Sequence, residues 1–238
     1  MQCVILAGGL GTRMRPRTET VPKSLLEVAG RPFVDHQLVW LAAHGVSSVV
    51  LSIGHLGEAL EAHVGDGARY GIPVRYVREG ATLRGTAGAL RLAAEEGALE
   101  AEFLVLYGDS YLPIEFGAVA RAFRASGLPA LMTVFENDGR WDTSNVVYDE
   151  ATERIVVYDK TRKLRPAGDF RYIDYGLSAF RRGALERAVP AGVRYDLADV
   201  MRELSVRGEL AGLCVTERFY EIGSPEGLAD LERLLGGA

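Results

Sequence analysis

The 238-residue sequence predicts an α/β fold in which a mostly parallel sheet carries a small added antiparallel β region. Three observations predict it. Over residues 1–125, short apolar runs alternate with helix-length segments, the pattern of βαβ units. From residue 130 onward, strand-like runs follow one another through short polar connections. The composition, 48% hydrophobic and 25% charged, is that of an ordinary folded domain with enough chain to bury a core.

The elements follow in order. Residues 2–7 form an apolar run read as a buried strand. Residues 32–44 read as a helix, with Pro32 in the first turn and Gly45 as the stop. The β-branched run 48–53 is a strand, 58–64 a helix and 73–78 a strand. A helix over 86–96, a strand over 102–107 and a helix over 115–125 close the series. The added β region comprises 130–136, 145–148, 154–158 and 172–181, and Arg181-Arg182 reads as a solvated strand end. Residues 196–206 form a helix whose first turn is charged by Asp196 and Asp199. Strands at 210–217 and 219–222 precede a last helix opened by Ser224-Pro225-Glu226. With no internal repeat and no linker, residues 1–238 read as one domain.

Several classes are excluded. No apolar run approaches the ~18–20 residues of a membrane span. The N-terminus lacks the basic region of a secretory signal, so a cytoplasmic location is expected. A net charge of −5, with both signs mixed along the chain, argues against nucleic acid as partner. Cys3 and Cys214 form neither a disulfide framework nor a zinc spacing, and the four histidines do not cluster.

The chemistry concentrates in the first loop, Leu6-Ala7-Gly8-Gly9-Leu10-Gly11-Thr12-Arg13, with Pro22-Lys23 ten residues on. A glycine-rich turn after a buried strand lets backbone N–H groups approach phosphate oxygens. The dinucleotide fingerprint fails because its third glycine position is Met14, and the P-loop fails because Thr12-Arg13 replaces Lys-Ser/Thr. What remains places two cations, Arg13 and Lys23, where a triphosphate fits. The chain holds 24 arginines and three lysines, so a retained lysine marks a need for a compact ammonium. Asp109 follows the apolar strand 102–107, at the sheet edge where such folds bind ligands, and a carboxylate there suits Mg²⁺.

These residues resemble the signature of the sugar-phosphate nucleotidylyltransferases. Gly85-Thr86-Ala87-Gly88-Ala89-Leu90 is similar to the family's second nucleotide loop, and Tyr107-Gly108-Asp109 to its metal-binding strand end. Asp159-Lys160 resembles its acid–lysine pair, and Glu221-Ile222-Gly223 its late carboxylate motif, which usually has Asp. The resemblance implies a Rossmann-like three-layer sandwich of the nucleotide-diphospho-sugar transferase type. It further implies a Mg²⁺-dependent enzyme joining an NTP to a hexose or heptose 1-phosphate, giving an NDP-sugar and pyrophosphate. Residues up to about 128 would hold the nucleotide, and those beyond, the acceptor.

Site residues follow from the same resemblance. Leu6, Ala7, Gly8, Gly9, Gly11, Thr12, Arg13, Glu79, Gly85, Thr86 and Gly108 would contact the nucleotide. Arg13, Lys23, Asp109 and Lys160 would be catalytic, with Asp109 and Glu221 on the metal. Asn145, Asp159, Lys160, Asp174 and Gly176 would contact the acceptor. The acceptor side departs from the family pattern, with Thr143-Ser144-Asn145-Val146 and Asp174-Tyr175-Gly176 replacing the usual runs. Two other readings stay open there: a cytidylyltransferase for a phosphorylated alcohol such as phosphocholine, and a non-catalytic NDP-sugar-binding regulator. Oligomeric state, a homo-oligomer included, is open.

Overall fold

The computed structural model describes residues 1–80, 82, 84–137, 139–164 and 168–237. Strand β1 (Gln2–Leu6) is followed by the small hairpin β2 (Glu27–Val28) and β3 (Arg31–Pro32), then α1 (Phe33–Ala43). Next come β4 (Val49–Ile53), α2 (Gly57–Val64), β5 (Val74–Arg78), α3 (Gly85–Glu95) and β6 (Glu102–Tyr107). The two-residue strand β7 (Ser110–Tyr111) and α4 (Phe116–Ser126) lead to β8 (Ala130–Glu136), β9 (Val146–Asp149), β10 (Arg154–Tyr158) and β11 (Tyr172–Arg181). The chain ends with α5 (Arg182–Ala188), α6 (Leu197–Val206), β12 (Leu210–Val215), β13 (Tyr220–Glu221) and α7 (Pro225–Gly236).

One nine-stranded sheet, in the order β5-β4-β1-β6-β11-β8-β12-β10-β9, runs through both halves of the chain. Strands β5, β4, β1, β6, β8, β12 and β9 run one way, while β11 and β10 run against them. The reversal at β11 has a consequence for the site. Its first residues, Tyr172 to Gly176, lie at the same sheet edge as the C-terminal ends of β1 and β6, because Leu177 pairs with Leu106.

Alternation along the strands gives the sheet two apolar faces. Cys3 and Ile5 pack with Leu38 of α1, Leu60 of α2 and Phe123 of α4. Val4 faces the other way, toward Leu90 of α3, Leu185 of α5 and Met201 of α6. Burying each such side chain contributes roughly 1.5–3 kcal/mol. Helix ends follow local chemistry. Asp196 accepts from the Ala198 N–H and Ser224 from the Gly227 N–H, capping α6 and α7, and Gly127 ends α4 at φ 67°.

Three details depart from expectation. Pro32 lies outside α1, because its ψ of 137° is extended and it closes the β2–β3 hairpin. Arg182 is no solvated strand end: it opens α5, and its Nη1 donates to the Leu99 carbonyl at 2.9 Å. The strand expected at 219–222 shortens to β13, which pairs only with β7. Among the described residues, no helix is long and apolar enough to cross a membrane.

Candidate active site

The loop after β1 begins at a point of close backbone approach. A side chain on Gly8 would collide with the Glu79 carboxylate, and one on Gly108 would lie 2.7 Å from the Leu6 carbonyl oxygen. The Gly108 N–H donates to that oxygen at 3.0 Å, tying the end of β6 to the end of β1. Gly11 turns the loop at φ 60°, and Thr18 Oγ1 donates to its carbonyl at 2.8 Å. Glu79 is buried beneath the loop and accepts from Ser52 Oγ at 3.3 Å. Burial pushes its pKa up, against hydrogen bonds from Ser52 and the Arg84 backbone.

Asp109 is presented by a turn held from behind. Gln37 Nε2 donates to the carbonyls of Tyr107 at 3.3 Å and Ser110 at 2.8 Å, and Ser24 Oγ donates to that of Gly108 at 3.3 Å. Lys23 Nζ lies 2.6 Å from Asp109 Oδ2, both side chains partly buried. Pairing of β7 with β13 sets Glu221 opposite Ser110, and the Ile222 N–H donates to the Asp109 carbonyl at 2.9 Å. Partial burial and the Asp109 charge raise the pKa of Glu221, while Lys23 and Arg13 oppose the shift. A side chain on Gly223 would lie 3.1 Å from Arg13 and 3.5 Å from Lys23 Nζ, so both cations stand beside this late motif.

A cleft of about 400 Å³ opens over these groups. Leu6, Ala7, Gly8, Gly9, Gly11, Thr12, Arg13, Glu79, Gly85, Thr86 and Gly108 line it, together with Lys23 and Asp109. Ala89 and Tyr107, carried by two of the quoted motifs, line it too, with Ser24 and Arg194. The glycines of the second loop have a packing role. At Gly85, with φ 71°, an added side chain would lie 2.5 Å from the Tyr195 carbonyl oxygen, and at Gly88 2.8 Å from that of Val193. Gly88 thus faces the 193–195 segment and is absent from the cleft lining.

The expected acceptor residues Asn145, Asp159, Lys160, Asp174 and Gly176 are absent from the cleft lining. Asp174, on β11, has Oδ1 accepting from the Gly176 N–H at 3.0 Å and Oδ2 from the Tyr158 hydroxyl at 3.4 Å. Burial raises its pKa; those hydrogen bonds and the Lys160 charge act the other way. Arg171, a neighbour in sequence, pairs with Glu136 instead. Gly176, at φ 103°, falls where β11 loses register with β8, and a side chain there would come within 3.9 Å of the Tyr107 ring. Asn145 is buried and its Oδ1 accepts from the Asp174 N–H at 3.1 Å.

Asp159 has local hydrogen-bond partners on both carboxylate oxygens. Its Oδ1 accepts from the Thr161 N–H and hydroxyl, and its Oδ2 from the Leu164 N–H at 2.7 Å. Burial alone would raise its pKa, but these hydrogen bonds win and lower it to about 2. It shapes the turn that carries the exposed Lys160. Tyr107 joins the two regions: burial, then the charges of Asp174, Asp196, Asp109 and Glu221, push its phenol well above the usual range. Among the described residues, no group of three or more His, Cys, Asp or Glu is placed to hold a metal.

Known proteins resemble this chain in sequence and in fold. A profile of the nucleotidyl transferase family matches residues 2–231. The chain is 30% identical over 240 residues to the N-acetylmuramate alpha-1-phosphate uridylyltransferase of Neisseria meningitidis serogroup B, covering 99% of each chain. It is 27% identical over 207 residues to a UTP--glucose-1-phosphate uridylyltransferase of Synechocystis, covering 83% of this chain and 53% of that one, so it spans about half of this longer relative. In fold it matches solved HddC from Yersinia pseudotuberculosis with a TM-score of 0.78 at 19% identity, over 98% of this chain and 99% of that one. With the glycine loop, Lys23 and Asp109 gathered at one cleft, the chain belongs to the nucleotidyl transferase family.

Proposed function

We propose that the chain is an enzyme joining an NTP to a sugar 1-phosphate, of hexose or heptose class, giving an NDP-sugar and pyrophosphate. The observation that carries this reading is the single cleft into which the first glycine loop, Lys23, the Gly85–Thr86 turn and Asp109 all open. Residues up to about 128 hold the nucleotide, and the later part of the chain brings the acceptor. The relative matched over 99% of its length, named for a sugar 1-phosphate uridylyl transfer, supports the same acceptor class. We place this reaction in the cytoplasm.

Chemistry of this kind needs positioning and charge neutralisation more than an acid or base, because a phosphate oxygen is already an anionic nucleophile. That oxygen attacks the α-phosphorus in line as the bond to pyrophosphate breaks. Arg13 holds the leaving β- and γ-phosphates, and Lys23 the α-phosphate. Lys160 carries the acceptor phosphate in against its repulsion by the triphosphate, with Asn145, Asp174 and Gly176 around the sugar. The donor set fits Mg²⁺: Asp109 and Glu221 are hard carboxylates, Glu221 lies opposite the residue that follows Asp109, and the Asp109 charge that raises the Glu221 pKa is a repulsion a cation would relieve. When bound there, Mg²⁺ would neutralise phosphate charge as a Lewis acid.

Asp174 favours one second reading. No ion-pairing partner reaches this largely enclosed carboxylate among the described residues, so a cationic acceptor such as phosphocholine, with CTP, would complete it. The test is pyrophosphate release from each NTP with hexose and heptose 1-phosphates, N-acetylmuramate 1-phosphate and phosphocholine. Release with a sugar 1-phosphate is expected. Release with phosphocholine alone establishes the second reading, and binding of NDP-sugars without turnover establishes a regulator.

A further inference from the structure

Helix α1 buries Phe33, Val34, Leu38 and Leu41, and among them one polar side chain, Gln37, 2% exposed. Its Nε2 donates to the carbonyls of Tyr107 at 3.3 Å and Ser110 at 2.8 Å, which bracket Asp109. Its Oε1 is buried and meets no donor among the described residues. Both partners of the nitrogen are carbonyl oxygens, so the amide cannot turn over without setting oxygen against oxygen. A buried acceptor left unpaired is costly. Packing alone would be served by an apolar side chain of similar size, so the reason for Gln lies in what its nitrogen holds.

The carbonyls of residues 107 to 110 are all captured. Gln37 takes the first and last, Ser24 Oγ takes that of Gly108 at 3.3 Å, and the Ile222 N–H takes that of Asp109 at 2.9 Å. Ser24 follows Lys23, whose Nζ lies 2.6 Å from Asp109 Oδ2, and Ile222 follows Glu221. Those two bonds tie the turn to segments that carry other charged groups of the site. Gln37 differs, because α1 contributes no residue to the cleft lining. Its neighbour Leu38 packs with Cys3 and Ile5 of β1 in the core. Gln37 therefore anchors the Asp109 turn to the rigid interior, from behind and out of reach of any ligand in the cleft.

We propose that Gln37 is a positioning residue for the nucleotidyl transfer: its amide fixes the 107–110 turn, and so the orientation in which the Asp109 carboxylate meets Lys23 and a divalent cation. The inference rests on the metal role proposed above for Asp109. A carboxylate moves with the backbone that carries it, and groups that orient a metal-binding side chain set metal affinity and rate without touching the metal. A small misplacement of the reacting groups is enough to slow an in-line displacement.

The experiment compares wild type with Gln37→Met, which keeps the length of the side chain and cannot donate, alone and in an Asp109→Asn background. Steady-state kinetics give kcat and the acceptor KM, and water-proton relaxation titrated with Mn²⁺ alone gives metal affinity without turnover. Gln37→Met should lower kcat about 10- to 100-fold and weaken Mn²⁺ binding about 10-fold, with the acceptor KM changed less than threefold. In the Asp109→Asn background it should have no further effect on Mn²⁺ binding, since no carboxylate remains to be aimed. A folded Gln37→Met with kcat or Mn²⁺ affinity within threefold of wild type overturns the proposal, whatever its melting temperature, as does a wild type that binds no Mn²⁺. Should Gln37→Met not fold, Gln37→Glu, which sets oxygens against both carbonyls, is read in the same way. Failure of both to fold makes Gln37 a residue of the core and overturns the proposal. If wild type turns over no acceptor yet Gln37→Met weakens Mn²⁺ binding about 10-fold, the positioning stands and the proposed reaction falls.

Discussion

At the scale of single residues, the site turns on how few groups carry the charge. Asp109 contributes a carboxylate whose backbone is held by Gln37, Ser24 and Ile222, so its side chain can change without loss of core packing. Asp109→Asn should lower kcat by about 10²–10³-fold or more, with an unchanged circular dichroism spectrum. Activity within a few-fold of wild type would remove Asp109 from the metal role. Asp174→Asn tests the acceptor side. Replacing the charge should cost about 1.5–3 kcal/mol in binding any acceptor that hydrogen-bonds to it, while barely altering NTP binding. Steady-state acceptor profiles check this; an unchanged profile with a lower melting temperature would make Asp174 a structural residue only.

At the scale of elements, the second glycine turn and the Lys160 turn are each organised by one feature. Gly85→Ala would combine a left-handed backbone at φ 71° with a methyl group 2.5 Å from the Tyr195 carbonyl oxygen. A destabilisation of about 2–4 kcal/mol is expected by denaturant titration, with a raised KM for NTP as the 193–196 wall shifts. Asp159→Asn acts through pH. The folded-state pKa is lowered from the ordinary 3.8 to about 2, so the carboxylate stabilises the fold fully above pH 4 and loses that contribution as pH falls toward 2. The stability gap between wild type and Asp159→Asn, about 2 kcal/mol near neutral pH, should therefore shrink below pH 4. A gap independent of pH would place the effect elsewhere.

The elements also show what local sequence carries. Strands 102–107, 130–136, 154–158 and 172–181 coincide with β6, β8, β10 and β11, because each is an apolar or β-branched run bounded by polar or turn residues. Helix α5 escaped notice because it is seven residues long and opens on Arg182, which reads as surface. The β7–β13 pair was out of reach, since two-residue strands have no period and exist only through each other. Within the site, the motif residues on the nucleotide side were legible, as their spacing reflects one continuous loop. Arg194 was not, because it reaches the cleft through the docking of its segment on α3. One signal was present: glycines at 85 and 88, one turn apart on a helix, mark the approach of another backbone.

At the scale of the whole molecule, one continuous sheet brings the two parts of the site to a common edge. The reversal of β11 places Asp174 and Gly176 beside Tyr107, next to the end of β1 and its glycine loop. The central claim is nucleotidyl transfer, and the fate of the NTP phosphates tests it most directly. The protein is incubated with its acceptor and NTP carrying radiolabel either on the α- or on the γ-phosphate, and the products are separated. The account predicts α-label in the NDP-sugar and γ-label in pyrophosphate; γ-label on the acceptor, or no label moving at all, would contradict it.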